Sequence, residues 1–253
     1  MKRLLFIGDV VGKSGCDFLR DKLPQIKREN NIDITVVNGE NSAQGNGITR
    51  VSADSLIRAG ADAVTTGNHA FKRKEYDIFD EEYIIRPANY PEAPGKGVFI
   101  LDMGAYSAAI VNLMGTTFME TLDNPFSVIS EVLKDIETPN IFLDFHAEAT
   151  SEKKAMGHYL AGKVTAVLGT HTHVQTADET ILKGHTAYIT DAGMTGVEDS
   201  CLGVDTKIII DKFRFHMPVK FHEAEGKCFL CGVVVEFDER TGKSHKIQRI
   251  IVR

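Results

Sequence analysis

The sequence predicts an α/β fold in which a central sheet sandwich is flanked by helices. Two observations carry that expectation: β-branched apolar runs alternate with segments of 3.6-residue periodicity through the first third, and the carboxyl third is rich in strand-like runs. A third lies at the strand ends. Gly8-Asp9, Gly39-Glu40-Asn41, Gly67-Asn68-His69, Asp144-Phe145-His146 and Gly169-Thr170-His171-Thr172-His173 each stand at the end of an apolar run.

Leu4 to Gly8 reads as a strand, Ser14 to Asn30 as a helix that Pro24 should kink or divide, and Ile34 to Asn38 as a strand. Ser52 or Asp54 is placed to cap a helix ending near Gly60, before a short strand from Ala63 to Thr66. The alternation then lapses: Ile84–Tyr90, Gly97–Leu101 and Ala105–Leu113 read as successive strands joined by turns, hence as antiparallel neighbours. Asn124 to Glu137 reads as a helix, with Asn124 as cap and Pro125 in the first helical position. Asn140–Phe145 and Val164–Leu168 are strands around a helix from Ser151 to Leu160. Thr186–Thr190 and Val204–Phe215 read as strands, and Cys228–Phe237 pairs with His245–Val252 through the turn Asp238 to Gly242. No linker composition interrupts the 253 residues, so one domain, 1–253, is expected.

Composition narrows the partners. A formal net charge of −6 opposes broad nucleic-acid binding, which needs a basic surface to displace counterions from phosphates. A small phosphorylated substrate stays compatible, because bound cations would invert the local charge. The apolar run at the amino end is too short for a signal segment or a membrane span. Four cysteines make no disulfide framework, so a cytoplasmic protein is expected, with Cys228 and Cys231 read as strand cysteines rather than a metal knuckle. Gly8 to Ser14 imitates the tail of a phosphate-binding loop, but Gly8 and Gly12 enclose too few residues. Lys72-Arg73-Lys74, followed by Glu75 and Asp77, reads as a solvated helix face.

Side chains of Asp, Glu, Asn and His at repeated strand ends point to metal-dependent hydrolysis, since open α/β sheets bind ligands outside those ends. His171 and His173, two residues apart, share a side on extended chain and would diverge on a helix. His146 ends an apolar strand, where a core histidine satisfied by a carbonyl is the alternative. Gly67-Asn68 is also ordinary turn chemistry, so the combination carries the inference.

Gly8-Asp9, Gly67-Asn68-His69 and Gly169 to His173 resemble motifs of the calcineurin-like metallophosphoesterases. The resemblance implies a calcineurin-like four-layer α/β/β/α sandwich with a two-metal site at strand carboxyl ends. Asp9-Val10-Val11 departs from that superfamily's usual Asp-x-His, and Glu40-Asn41 stands where an aspartate is usual. This altered pattern resembles the YmdB-type bacterial branch, which also matches Arg86 to Pro91, Asp144 to Lys153 and Thr190 to Gly196. The activity so implied is a phosphodiesterase acting on 2′,3′-cyclic and 3′,5′-cyclic nucleotides through a metal-bridging hydroxide.

Carried over by position, the resemblance puts Asp9, Glu40 and His173 on one metal, and Glu40, Asn68, His146 and His171 on the other. Asn41 either adds its amide oxygen or holds Glu40. Imidazole and carboxylate together suit iron first, then manganese or zinc, over calcium or magnesium. His69 follows Asn68 on extended chain, so the two side chains diverge and His69 is free to protonate the leaving oxygen. The alternatives are a phosphomonoesterase on nucleotides or phosphorylated metabolites, and a regulatory protein that binds metal and nucleotide with little turnover. A homo-oligomer is compatible with either.

Overall fold

The computed structural model describes residues 1–253. The chain begins β1 (Lys2–Ile7), β2 (Asp9–Val10), α1 (Gly12–Asn30), β3 (Ile34–Asn38), α2 (Arg50–Ala59), β4 (Ala63–Thr65) and β5 (Ile84–Ile85). It continues β6 (Val98–Asp102), β7 (Ser107–Met114), α3 (Pro125–Val132), β8 (Ile141–His146), α4 (Thr150–Leu160), β9 (Ala166–Thr170), β10 (Thr180–Leu182) and β11 (Thr186–Ile189). The last elements are β12 (Met194–Val197), α5 (Thr206–Phe215), β13 (Cys228–Phe237) and β14 (Ser244–Val252).

Two sheets result. One has the order β2-β12-β13-β1-β3-β4-β5 with β14 also paired to β13; the other runs β10-β11-β9-β8-β7-β6. β1, β3, β4 and β5 are mutually parallel, as are β7, β8, β9 and β11, so each sheet gathers several carboxyl ends along one edge.

Three buried clusters define four layers. Leu4, Phe6, Val36 and Val235 of the first sheet meet Ile110, Phe142, Leu168 and Ile189 of the second between the sheets. Leu5, Ile7, Val37 and Val64 turn the other way, onto Leu19 and Leu23 of α1 and Leu56 of α2. Val111, Leu143 and Val167 likewise pack on Ile129 of α3 and Met156 and Leu160 of α4. Alternate residues of one strand therefore enter different cores, as the period of two requires. The expected α/β/β/α sandwich is the observed architecture, and no helix is long and apolar enough to cross a membrane.

Several expectations are corrected. α1 runs unbroken through Pro24, because Leu19, Leu23 and Ile26 are buried on one face and their packing offsets the lost hydrogen bond, a cost of about 3 kcal/mol. The cap of α2 is Thr49, in a reciprocal box with Ser52, rather than Ser52 or Asp54. Ile84–Ile85 joins the first sheet parallel to β4; only β6 and β7 form the antiparallel pair expected there. Lys72-Arg73-Lys74 lies on a turn, where the Arg73 guanidinium donates to the Asn46 and Ala43 carbonyls. Residues 204–215 are not a strand: α5 occupies most of them, with Asp205 capping by accepting from the Ile208 amide at 3.1 Å.

Candidate metal centre

The carboxyl ends of β1, β3 and β4 face those of β8 and β9 across the inter-sheet core, and the side chains just beyond them converge. Glu40, buried behind β3, has Oε1 3.2 Å from His146 Nε2 and 3.3 Å from His69 Nδ1. Asn68 Oδ1 is 2.9 Å from His146 Nε2, and His171 Nδ1 is 3.1 Å from the same nitrogen. The donor atoms of Glu40, His146 and His171 all lie within 4.8 Å of one another. Asp9 accepts from the His171 amide through Oδ2, while its Oδ1 stands 3.7 Å from His173 Nε2. Asn41 completes the ring, its amide head 3.1 Å from Glu40 Oε1, 3.2 Å from His173 Nε2 and 2.8 Å from His69 Nδ1. Every site residue expected from the sequence is thus brought into one cluster.

Such close approach needs Gly67. A Cβ there would overlap the His146 ring and Glu40 Oε2, so no larger residue leaves room for the cluster.

The hydrogen-bond network assigns the ring nitrogens. Thr170 donates its hydroxyl to Asp144 Oδ1 at 2.7 Å, so it accepts from His146 Nδ1 at 2.9 Å and turns the Nε2 lone pair inward. Glu148 takes His171 Nε2 at 3.0 Å, turning that residue's Nδ1 inward. Two imidazole lone pairs consequently face each other, an arrangement that needs a proton or a cation between them. Burial lowers both histidines, but Glu40, Asp9 and Asp144 push His146 up to about 9; burial and the neighbouring His146 leave His171 at about 3. Burial raises Glu40 too, yet His146 and His69 hold its carboxyl well below the usual range.

Asp9 Oδ1 and His173 Nδ1 are buried without any hydrogen-bond partner, a costly condition for polar atoms. With carboxylate, amide and imidazole donors converging, orphaned Asp9 Oδ1 and opposed lone pairs fit a bound cation of borderline softness.

His69 differs from the buried donors. Its amide donates to Glu40 Oε2 at 3.0 Å and Nδ1 meets Asn41 Oδ1, while the side chain is 28% exposed against 0% for His146. It is positioned by the cluster and open to solvent.

Three supporting residues, Glu148, Lys153 and Asp191, escaped sequence reasoning, and a fourth takes a place other than the one expected. Asp144, expected among the strand-end donors, is buried behind His146, accepting from Asn38, Thr65 and Thr170, and burial pushes it up to about 6. Lys153 and Asp191 form an ion pair at 2.8 Å with side chains 2% and 0% exposed. Asp191 also accepts from the Thr172 amide at 3.0 Å and its hydroxyl at 2.8 Å. That grip holds His171 and His173 at φ of 102° and 64°, conformations that cost about 1–3 kcal/mol each. Glu148 and Lys153 lie within the sequence motif beginning at Asp144, which was the available signal.

Lys153→Met should therefore cost about 3–5 kcal/mol, since it strands a buried carboxylate. Denaturant unfolding checks this; a loss under about 1 kcal/mol, the level of an exposed pair, contradicts it.

The YmdB-like protein family matches residues 5–250. The 2′,3′-cyclic-nucleotide 2′-phosphodiesterase of Bacillus subtilis (strain 168) is 49% identical over 255 residues, covering 99% of this chain and 97% of that protein. Among solved structures, a hypothetical protein of Thermus thermophilus superposes with a TM-score of 0.94 at 40% identity, covering 99% of this chain and 98% of that one. A novel phosphatase of Mycoplasma pneumoniae gives a TM-score of 0.95 at 32% identity, covering 99% and 93%. With a sandwich that gathers these donors at one edge and a match over nearly its whole length, the chain belongs to the YmdB-like protein family.

Proposed function

We propose that the chain is a metal-dependent phosphodiesterase that opens 2′,3′-cyclic nucleotides, and that it holds two transition-metal ions. The observation that carries the metal reading is the pair of opposed imidazole lone pairs beside buried Glu40. The substrate class is supported by the likeness to the Bacillus subtilis enzyme.

Asp9 and His173 would form one donor group, and Asn68, His146 and His171 the other, while Asn41 holds Glu40 through its amide nitrogen. Glu40 touches Asn41 on one side and His146 on the other, so its carboxylate would be shared between the two groups. The imidazole content favours iron, with manganese or zinc as substitutes. When bound, the ions supply positive charge that neutralises the phosphate oxygens of an in-line displacement.

In the hydrolysis, water adds to phosphorus, the bond from phosphorus to one ribose oxygen breaks, and that oxygen takes a proton. His69 is the donor. Asn41 Oδ1 accepts from its Nδ1, which fixes the ring and leaves Nε2 to carry the proton given to the leaving oxygen.

Elemental analysis joined to a substrate panel tests this. Two ions per chain, with 2′,3′-cyclic nucleotides turned over faster than 3′,5′-cyclic nucleotides, mononucleotides or phosphosugars, is the expected result. Full activity after complete chelation would overturn the metal reading, and preference for a monoester would overturn the substrate.

A further inference from the structure

Arg86 to Pro91, one of the motifs that carry the resemblance, supplies no donor to the metal cluster. Two of its side chains instead hold the loop of residues 115–122, which follows the carboxyl end of β7. Asn89 is fully buried and donates its amide nitrogen to the Met114 carbonyl at 2.8 Å and to the Asp123 carbonyl at 3.1 Å. Its Oδ1 accepts from the Met114 amide at 2.9 Å, so one side chain clasps both ends of the loop. Tyr90 donates its hydroxyl to Glu120 Oε2 at 3.0 Å. Glu152 of α4, also a motif residue outside the metal cluster, accepts from the Thr116 and Thr117 amides at 3.0 Å and 3.1 Å.

The same loop is tied to the metal cluster. The Gly115 amide donates to the His146 carbonyl at 2.9 Å. The Glu148 amide donates to Met119 Sδ at 3.3 Å, and the Glu148 carboxylate takes His171 Nε2 at 3.0 Å.

Between these anchors stands Phe118, 88% exposed, the most open large apolar side chain of the chain. A single exposed apolar residue is ordinary. Phe118 differs because its neighbours on both sides are pinned and its own φ is 63°, a left-handed conformation that a bulky side chain rarely adopts. Such strain persists only where the surroundings over-determine it, and it gathers at ligand clamps. Burial of the ring is not what holds it there, since the ring is open to water.

We propose that Phe118 is the platform on which the nucleobase of the substrate stacks, a role that rests on the cluster being a cyclic-nucleotide phosphodiesterase site. The metal cluster serves the phosphate and the leaving oxygen. The base is a flat π-surface carried on the same ribose, and an open aromatic ring is the group that packs against it. Met119, the next residue, touches Glu148, which touches His171, so the ring is carried at the rim of the cluster. Stacking recognises the face of a base and not its edge, which suits a site that takes cyclic nucleotides as a class.

Phe118→Ala should raise KM for adenosine 2′,3′-cyclic phosphate at least about fivefold, the lower end of what one stacked base contributes, with kcat near wild type. KM for ribose 2′,3′-cyclic phosphate, which has no base, should not change. Phe118→Tyr keeps the ring and should restore KM. The exposed position spares the core, so the far-UV spectrum of each variant should match wild type. A Phe118→Ala chain whose KM for the nucleotide stays at the wild-type value, or rises equally for the baseless phosphate, overturns this proposal alone. A wild-type chain that opens no 2′,3′-cyclic phosphate overturns the phosphodiesterase reading, and the stacking role falls with it.

Discussion

His69→Ala should lower turnover of a 2′,3′-cyclic nucleotide by about two to four orders of magnitude while metal content stays near the wild-type level. The ring hydrogen-bonds to Asn41 and lies beside Glu40, but it stands at the edge of the cluster, 28% exposed, while Glu40 and His146 behind it are 1% and 0% exposed. Removing it deletes a proton donor and leaves Glu40, Asn68, His146 and His171 in place. A ribose oxygen is a poor leaving group and needs that proton; a nitrophenolate does not. The loss with bis(nitrophenyl) phosphate should therefore be much smaller. Equal losses on both substrates, or a fall in metal content, would show that His69 supports the metal instead of protonating the leaving oxygen.

His146→Ala should instead empty at least one metal position and abolish turnover of both substrates alike. Its Nε2 sits among Glu40, Asn68 and His171, so no neighbour reaches the vacated place. Replacing a residue that only hydrogen-bonds to a ligand typically costs about 10–100-fold in metal affinity, and loss of a ligand should exceed that. The substitution also leaves the Thr170 hydroxyl without the ring it accepts from and opens a cavity at a fully buried position, so thermal stability falls as well. His146→Gln retains volume and separates the two effects: folding near wild type with metal lost supports a ligand. A His146→Gln chain that keeps both its metal and its activity would remove His146 from the site.

The difference between those variants reflects how the site was legible. His69, His146, His171 and His173 stand out because each follows an apolar run, and the end of a strand is a local feature. Their division of labour is not local. His146 and His69 look alike in sequence and both touch Glu40, yet one is closed in the core and the other is partly open to solvent. Glu148, Lys153 and Asp191 bind no ligand in the proposed site, so residue type alone gave no reason to choose them; their roles come from contacts with His171 and with the turn at Thr172.

The departure at residues 204–215 has a different cause. Ile208-Ile209-Ile210 favours a strand by side-chain branching, but a strand needs a pairing edge and a helix satisfies its own backbone. The chain here projects from its β-bridged base, and Asp205 supplies the cap, so the helix forms despite the residues' β preference.

Periodicity and residue type are properties of short stretches. They suffice to set most of the alternation of strands and helices, the strand ends that carry Asp9, Glu40, Asn68, His146 and His171, and the kind of chemistry those donors suit. The face-to-face packing of two sheets with their carboxyl edges together, which brings Glu40 from one sheet to His146 from the other, exists only in the assembled fold. That pairing is a consequence of burying Phe6, Val36, Phe142 and Leu168 in one shared core. Apolar burial is non-directional, so no local pattern in either segment names its partner.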